Sequence, residues 1–134
     1  MAETQLRSGM TVVSETPTGN GKRAGIVFLH ERYGLTQNTR DLARRGAAEG
    51  FVTCAPDLYH RFDVDKDAVA RGDERVAMGE QSEEETLSDL DDAVAFLRAT
   101  IKVRPFLALL AKPLHHLVDI EFAKFGLRFP DRHP

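Results

Sequence analysis

The chain has 134 residues, 42% hydrophobic and 29% charged, with a net charge of −3 and a pI near 5.9. That length suits one domain with a real core, and the weakly acidic balance argues against nucleic acid as a partner. A single cysteine rules out an internal disulfide; no apolar run approaches a membrane span and the start lacks a signal-peptide core, so a cytoplasmic protein is expected.

Residues 11–13 read as a short strand, followed by a turn-rich stretch in which Asn20-Gly21 is the strongest turn signal. Residues 25–29 form a short, almost continuous apolar run with β-branched members. That is the pattern of a strand buried on both faces, as in a parallel sheet. Residues 38–49 predict a helix with Leu42, Gly46 and Ala47 on one face and Gly50 as its stop. Residues 51–55 predict the next strand, closed by Pro56. Strand, helix and strand within about thirty residues make a βαβ unit. Residues 60–80 are polar, lack a period and read as a long loop. From residue 82 a helix is well marked. Ser82 and Glu85 form a capping box, three glutamates sit at the positive end of the helix dipole, and Leu87, Leu90, Val94 and Leu97 recur at helical spacing.

Beyond residue 100 the character changes. Residues 1–100 carry 12 Lys and Arg against 18 Asp and Glu, whereas residues 101–134 carry 6 against 3. Four of the eight phenylalanines fall in that second segment. Pro105 and Pro113 break its helical pattern. The expected organisation is an α/β domain over residues 1–100 and a divergent, basic, Phe-rich segment over 101–134.

Three motifs stand in order: His30-Glu31-Arg32-Tyr33-Gly34-Leu35, then Arg40-Asp41-Leu42-Ala43-Arg44-Arg45 with Ala48-Glu49-Gly50-Phe51, then Ala55-Pro56-Asp57-Leu58-Tyr59. Arg71-Gly72-Asp73 and Asp89-Leu90-Asp91 follow. In this order and spacing, over residues 10–99, the chain resembles the dienelactone hydrolase family of the α/β-hydrolase fold. The resemblance implies a short, mostly parallel sheet flanked by helices, and an ester or lactone substrate. It implies that a cysteine on a strand-to-helix turn attacks the carbonyl while a histidine, oriented by an aspartate, manages the protons. It also implies that Glu31 contacts the nucleophile and that the Arg32 backbone N–H helps to form the oxyanion hole.

The nucleophile itself is missing. No Gly-x-[Ser/Cys]-x-Gly turn occurs in the 134 residues, and the family's aspartate and histidine have no matching positions. The expectation is a partial α/β-hydrolase, truncated and inactive alone, whose residues 25–29 or 51–55 lack a neighbouring strand and expose an apolar edge. Homodimerisation or a completing partner chain would cover that edge. The alternative is a non-catalytic module that uses the half-sheet edge and the apolar segment to bind a protein. A third reading is a change of reading frame near residue 100.

Other residues have plainer readings. Cys54 lies inside a predicted buried strand and reads as an inert small hydrophobe. His30 reads as a packing and hydrogen-bonding residue, and Asp57 as a loop cap. Arg71 and Arg75 are candidates for a substrate carboxylate, against the simpler reading of exposed loop charges. His115, His116 and Asp119 do not make a metal site, because adjacent histidines on a helix point about 100° apart and two ligands are too few. No cofactor is expected.

Overall fold

A computed structural model describes residues 1–19, 23–76 and 81–100, together with the strand at 107–111. The elements in chain order are β1 (Ala2–Gln5), β2 (Thr11–Glu15), β3 (Gly25–Leu29), α1 (Gln37–Ala48), β4 (Val52–Pro56), α2 (Lys66–Arg71), α3 (Glu83–Thr100) and β5 (Leu107–Ala111). They build one five-stranded sheet in the order β1-β2-β4-β3-β5. β1 with β2 and β2 with β4 run antiparallel; β4 with β3 and β3 with β5 run parallel. The sheet is therefore mixed, with its parallel half made by β4, β3 and β5. The first strand, β1, was not foreseen: its polar, mostly exposed sequence has no apolar signal.

The two faces of the sheet follow from the alternation of side chains along each strand. Val12, Val27, Val52 and Cys54 point to one face, where Leu90, Ala93, Val94 and Leu97 of α3 cover them. Val13, Ile26, Phe28 and Ala55 point to the other, where Ala43 of α1 packs with Leu35 and Leu42. β4 has no exposed residue, as expected for a strand with a helix on each side.

α1 ends as its sequence indicates. Gly50 takes φ +94°, its N–H donates to the Ala47 carbonyl and the Phe51 N–H to that of Gly46. This is the Schellman arrangement, which satisfies the last carbonyls of a helix. Gly46 faces the sheet so closely that a Cβ there would lie 2.9 Å from the Thr53 Cγ2. The capping box of α3 also forms: the Ser82 N–H donates to the Glu85 carboxylate at 2.9 Å, and the Glu85 N–H to the Ser82 hydroxyl at 3.1 Å. Donation from the Ser82 N–H, and from its hydroxyl at 3.0 Å, holds the Glu85 carboxyl below its usual range.

Three expectations are corrected. Residues 60–80 are not all loop, because α2 lies within them. Asp65 caps its first turn by accepting from the Asp67 and Ala68 N–H groups, and Gly72 closes it at φ +84°. Leu87 is not part of the buried stripe of α3. It is 38% exposed, since the buried arc is centred on Ala93 and Leu97 and Leu87 falls on its flank. Finally, neither β3 nor β4 lacks a neighbour. β5 pairs with the whole of β3, from Gly25 opposite Leu107 to Leu29 opposite Ala111. Its residues belong to the segment expected to diverge; the rest of that segment, including His115, His116 and Asp119, lies outside the described residues.

Candidate functional site

The carboxyl ends of the parallel strands β3, β4 and β5 share one edge, because a parallel register brings Leu29 level with Ala111. In open α/β sheets this edge is where ligands bind. The loops that leave β3 and β4 meet there and are tied by one side chain. His30 is 5% exposed. Its Nε2 accepts the Leu58 N–H at 3.0 Å, so the ring proton must sit on Nδ1, which donates to the Glu31 carbonyl at 2.8 Å. The ring meets Tyr59 edge-on, with centroids 4.6 Å apart. Burial pushes the His30 pKa down, outweighing the hydrogen bond to Glu31 and the charge of Asp57.

Residues 31–34 form a tight turn closed by the Gly34 N–H on the Glu31 carbonyl at 3.0 Å. Gly34 has φ +72°, and a Cβ there would lie 3.5 Å from the Tyr59 ring. The Glu31 and Arg32 side chains are exposed. The Arg32 guanidinium lies over the Tyr33 ring, 4.5 Å from its centroid, and donates to the Tyr33 hydroxyl. Among the described residues nothing accepts the Arg32 backbone N–H.

Arg71 and Arg75 come to the same place from α2 and the turn after it. Arg32, Tyr33, Arg71, Gly72, Glu74 and Arg75 line one cleft of about 190 Å³. Gly72, whose φ of +84° favours glycine, packs against the Tyr33 ring, its Cβ position 3.4 Å away, an ordinary contact. Arg71 is partly neutralised by Asp73, which accepts from its Nε at 2.9 Å. Arg75 has no ion-pair partner among the described residues. The structure thus brings together three of the four residues singled out in the sequence; Glu31 does not line this cleft. It also adds a part that the sequence did not reveal: Arg32 lines the same cleft as Arg71 and Arg75.

Below the cleft two polar clusters set the loops. Asp57 accepts from Lys66 Nζ at 2.8 Å and from the Tyr59 N–H at 3.0 Å, which is the loop-capping role read from sequence. Burial and the Asp57 charge both push the Tyr59 hydroxyl pKa up. Asp89 on α3, fully buried, accepts from Arg61 at 2.6 Å, Gln81 at 3.0 Å and His60 at 3.1 Å. Cys54 lies inside β4 with no exposure, its Sγ 3.9 Å from the Ala93 carbonyl oxygen. Burial raises its pKa to about 12, so the thiol has no thiolate character. Among the described residues no cluster of His, Cys, Asp or Glu is placed to hold a metal.

The family model for the dienelactone hydrolase family matches residues 10–106. A protein of Synechocystis that provisionally bears the name carboxymethylenebutenolidase is 29% identical over 93 residues, 66% of this chain and 38% of its own length. One of the same provisional name from Saccharolobus solfataricus is 39% identical over 44 residues, 33% of this chain and 17% of that protein. The crystal structure of a provisionally named dienelactone hydrolase from Klebsiella pneumoniae aligns with a TM-score of 0.67 at 22% identity, over 82% of this chain and 48% of that one. That likeness is one of fold. The chain spans less than half the length of these relatives.

Proposed function

Because the chain belongs to the dienelactone hydrolase family, we propose that it carries the substrate-binding and oxyanion-stabilising half of an ester- or lactone-hydrolysing site, and that it binds but does not turn over substrate alone. The observation that carries this reading is the cleft in which Arg32, Arg71 and Arg75 converge beside the Glu31–Arg32 turn. Three arginines against one glutamate, Glu74, line this cleft, a balance that suits a small anionic ligand, since planar guanidinium forks match a carboxylate. Such a ligand would present its ester or lactone carbonyl toward the sheet edge, where the Arg32 N–H would serve as the oxyanion donor. One preorganised donor of this kind contributes roughly 3 kcal/mol to a transition state. Glu31 would act on a nucleophile supplied at the end of β5.

Inactivity in isolation is argued from chemistry. After Ala111 the sequence reads Lys112-Pro113-Leu114-His115-His116, with neither a glycine nor a nucleophile. Activated acyl transfer needs a nucleophile with a base within hydrogen-bond reach. Cys54, buried and protonated, does not meet that need. The division into residues 1–100 and 101–134 belongs to this proposal, with β5 as the strand that the second segment adds to the sheet. So does a cytoplasmic location.

The test joins binding to turnover. Maleate, a small unsaturated dicarboxylate, should perturb the Arg32 and Arg75 resonances, weaken in binding by about tenfold in Arg75→Ala, and lose affinity as salt rises. Hydrolysis of p-nitrophenyl acetate should not exceed the buffer rate, in the parent chain or in Cys54→Ala. Saturable turnover abolished in Cys54→Ala would overturn the inactive reading; no interaction with maleate at low salt would overturn the cleft. A second reading, a non-catalytic module that binds a protein or a second copy, is favoured by the outer edge of β5, which has one paired side among the described residues. It predicts a defined dimer in light scattering and no maleate binding.

A further inference from the structure

One side chain spans the loops after β3 and β4, and it has only one protonation state that satisfies both of its bonds. We propose that His30 is a proton-controlled latch: as the neutral Nδ1–H tautomer it fixes the Glu31–Arg32 peptide and clips it to the β4 loop, and on protonation it releases that loop.

The geometry of the peptide unit gives the first half. The carbonyl of Glu31 and the N–H of Arg32 belong to one planar peptide, and no cis peptide occurs among the described residues. In a trans unit the two groups point in opposite directions. His30 Nδ1–H and the Gly34 N–H both hold the Glu31 carbonyl. The Arg32 N–H is thereby aimed away from the His30 ring, and no described residue takes it. His30 is thus a positioning residue for that donor.

The second half follows from the other ring nitrogen. Nε2 accepts the Leu58 N–H at 3.0 Å. A protonated Nε2 is a donor and cannot accept, so that bond is incompatible with the imidazolium. The carboxylate oxygen Asp57 Oδ1 lies 4.0 Å from Nε2, beyond hydrogen-bond distance. Groups facing the ring from each side are Asp57 after β4, the Tyr59 ring, Lys66 of α2 and the Glu31 backbone. Asp57 favours the cation; Lys66 and burial oppose it. Lys66 already neutralises Asp57 through Oδ2 and the Tyr59 N–H occupies Oδ1 at 3.0 Å, so the imidazolium would be a second cation beside one carboxylate and would find no vacant acceptor there.

The importance of the Arg32 direction rests on the function proposed above, whereas the latch is tested without substrate, so each can fail separately. In the 15N-labelled full chain, long-range ring correlations at about pH 8 should show Nδ1 protonated and Nε2 bare. As pH falls through the His30 titration, the Leu58 amide should exchange about tenfold faster relative to the β3 amide of Val27. His30→Asn keeps a donor near the Nδ1 position and removes the acceptor. It should retain the Arg32 amide shift, lose Leu58 protection at every pH and abolish the step. A protonated Nε2 at neutral pH, or Leu58 and Val27 amides that exchange in step across the titration, would overturn the latch. If His30→Asn does not fold, the parent chain's tautomer and relative exchange decide the question.

Discussion

Asp89 is the most exacting single residue described. A fully buried carboxylate is costly to desolvate and is tolerated only when its oxygens are satisfied. Here three donors from two separate stretches meet on it: His60 and Arg61 after β4, and Gln81 before α3. Asp89→Ala strands those donors, and we expect a loss of roughly 3 kcal/mol in denaturant titration. Arg61→Ala should cost a comparable amount, because His60 and Gln81 both donate to Oδ2 and the buried Oδ1 would lose its donor and its cation. Little change in Asp89→Ala would mean that the cluster is not coupled to folding. Cys54 is the opposite case, a polar atom treated as an apolar one. With its pKa raised to about 12 by burial, it should resist iodoacetamide at pH 8 until the chain unfolds. The rate of alkylation should therefore track the fraction unfolded; fast labelling of the native chain would contradict its burial. His30 gives the pH dependence its sign. Its folded pKa lies below 6.5, so the unfolded chain binds the proton first. Its stabilising share is fully present above about 6.5 and is lost as pH falls through the folded value.

At the scale of elements, the seam between α1 and β4 leaves no room for a side chain at Gly46. Gly46 lies against Thr53 and Phe28, with a virtual Cβ 2.9 Å from the Thr53 Cγ2 and 3.1 Å from Phe28. Thr53 is fully buried, and its hydroxyl donates to the Ala43 carbonyl at 2.9 Å. It therefore has no room to give. Gly46→Ala should gain about 1 kcal/mol in helix propensity and lose more to overpacking, which costs about 1–3 kcal/mol. A net destabilisation of about 1 kcal/mol is expected in thermal or urea unfolding. A stabilised variant would show that α1 can move off the sheet. The capping box and Schellman ends of the helices were legible because each depends on residues within one turn. The position of Leu87 was not, because its three-residue spacing from Leu90 fits the stripe while its angular place on the helix decides exposure. The short helix α2 was overlooked although Asp65 and Gly72 mark its ends, since six residues are too few for a period to emerge.

For the whole molecule, the decisive pairing is β3 with β5. A fully apolar central strand such as Gly-Ile-Val-Phe-Leu needs a neighbour on each side, or its unpaired groups become a template for association. β5 supplies the second neighbour from beyond residue 100. A chain ending at Thr100 should consequently lose cooperative unfolding and scatter light at concentrations where the 134-residue chain does not. Equal behaviour of the two would mean that β5 adds nothing to the sheet. The same pairing sets the level at which a nucleophile would have to stand, since Ala111 ends opposite Leu29 and next to the His30 loop.

The sequence alone carries the strands at 25–29 and 51–55, the latter observed one residue on at Val52–Pro56, the helices that flank them and the family to which they belong. These rest on local signals: apolar runs, helical spacing, caps and a short ordered motif. It also shows no Gly-x-[Ser/Cys]-x-Gly turn within these 134 residues. Tertiary packing alone brings Arg32, Arg71 and Arg75 to one cleft, because residues 32 and 71 are joined by the contact of Gly72 with Tyr33 and by nothing in their spacing. It also decided the neutral state of His30, since a tautomer is fixed by partners on both sides of the ring, one of which, the Leu58 amide, comes from another strand's loop. Nor could a polar, exposed β1 or a strand at 107–111 be read locally. Strand pairing is a contact between distant segments, and its hydrogen bonds are made by the backbone, which every sequence carries alike.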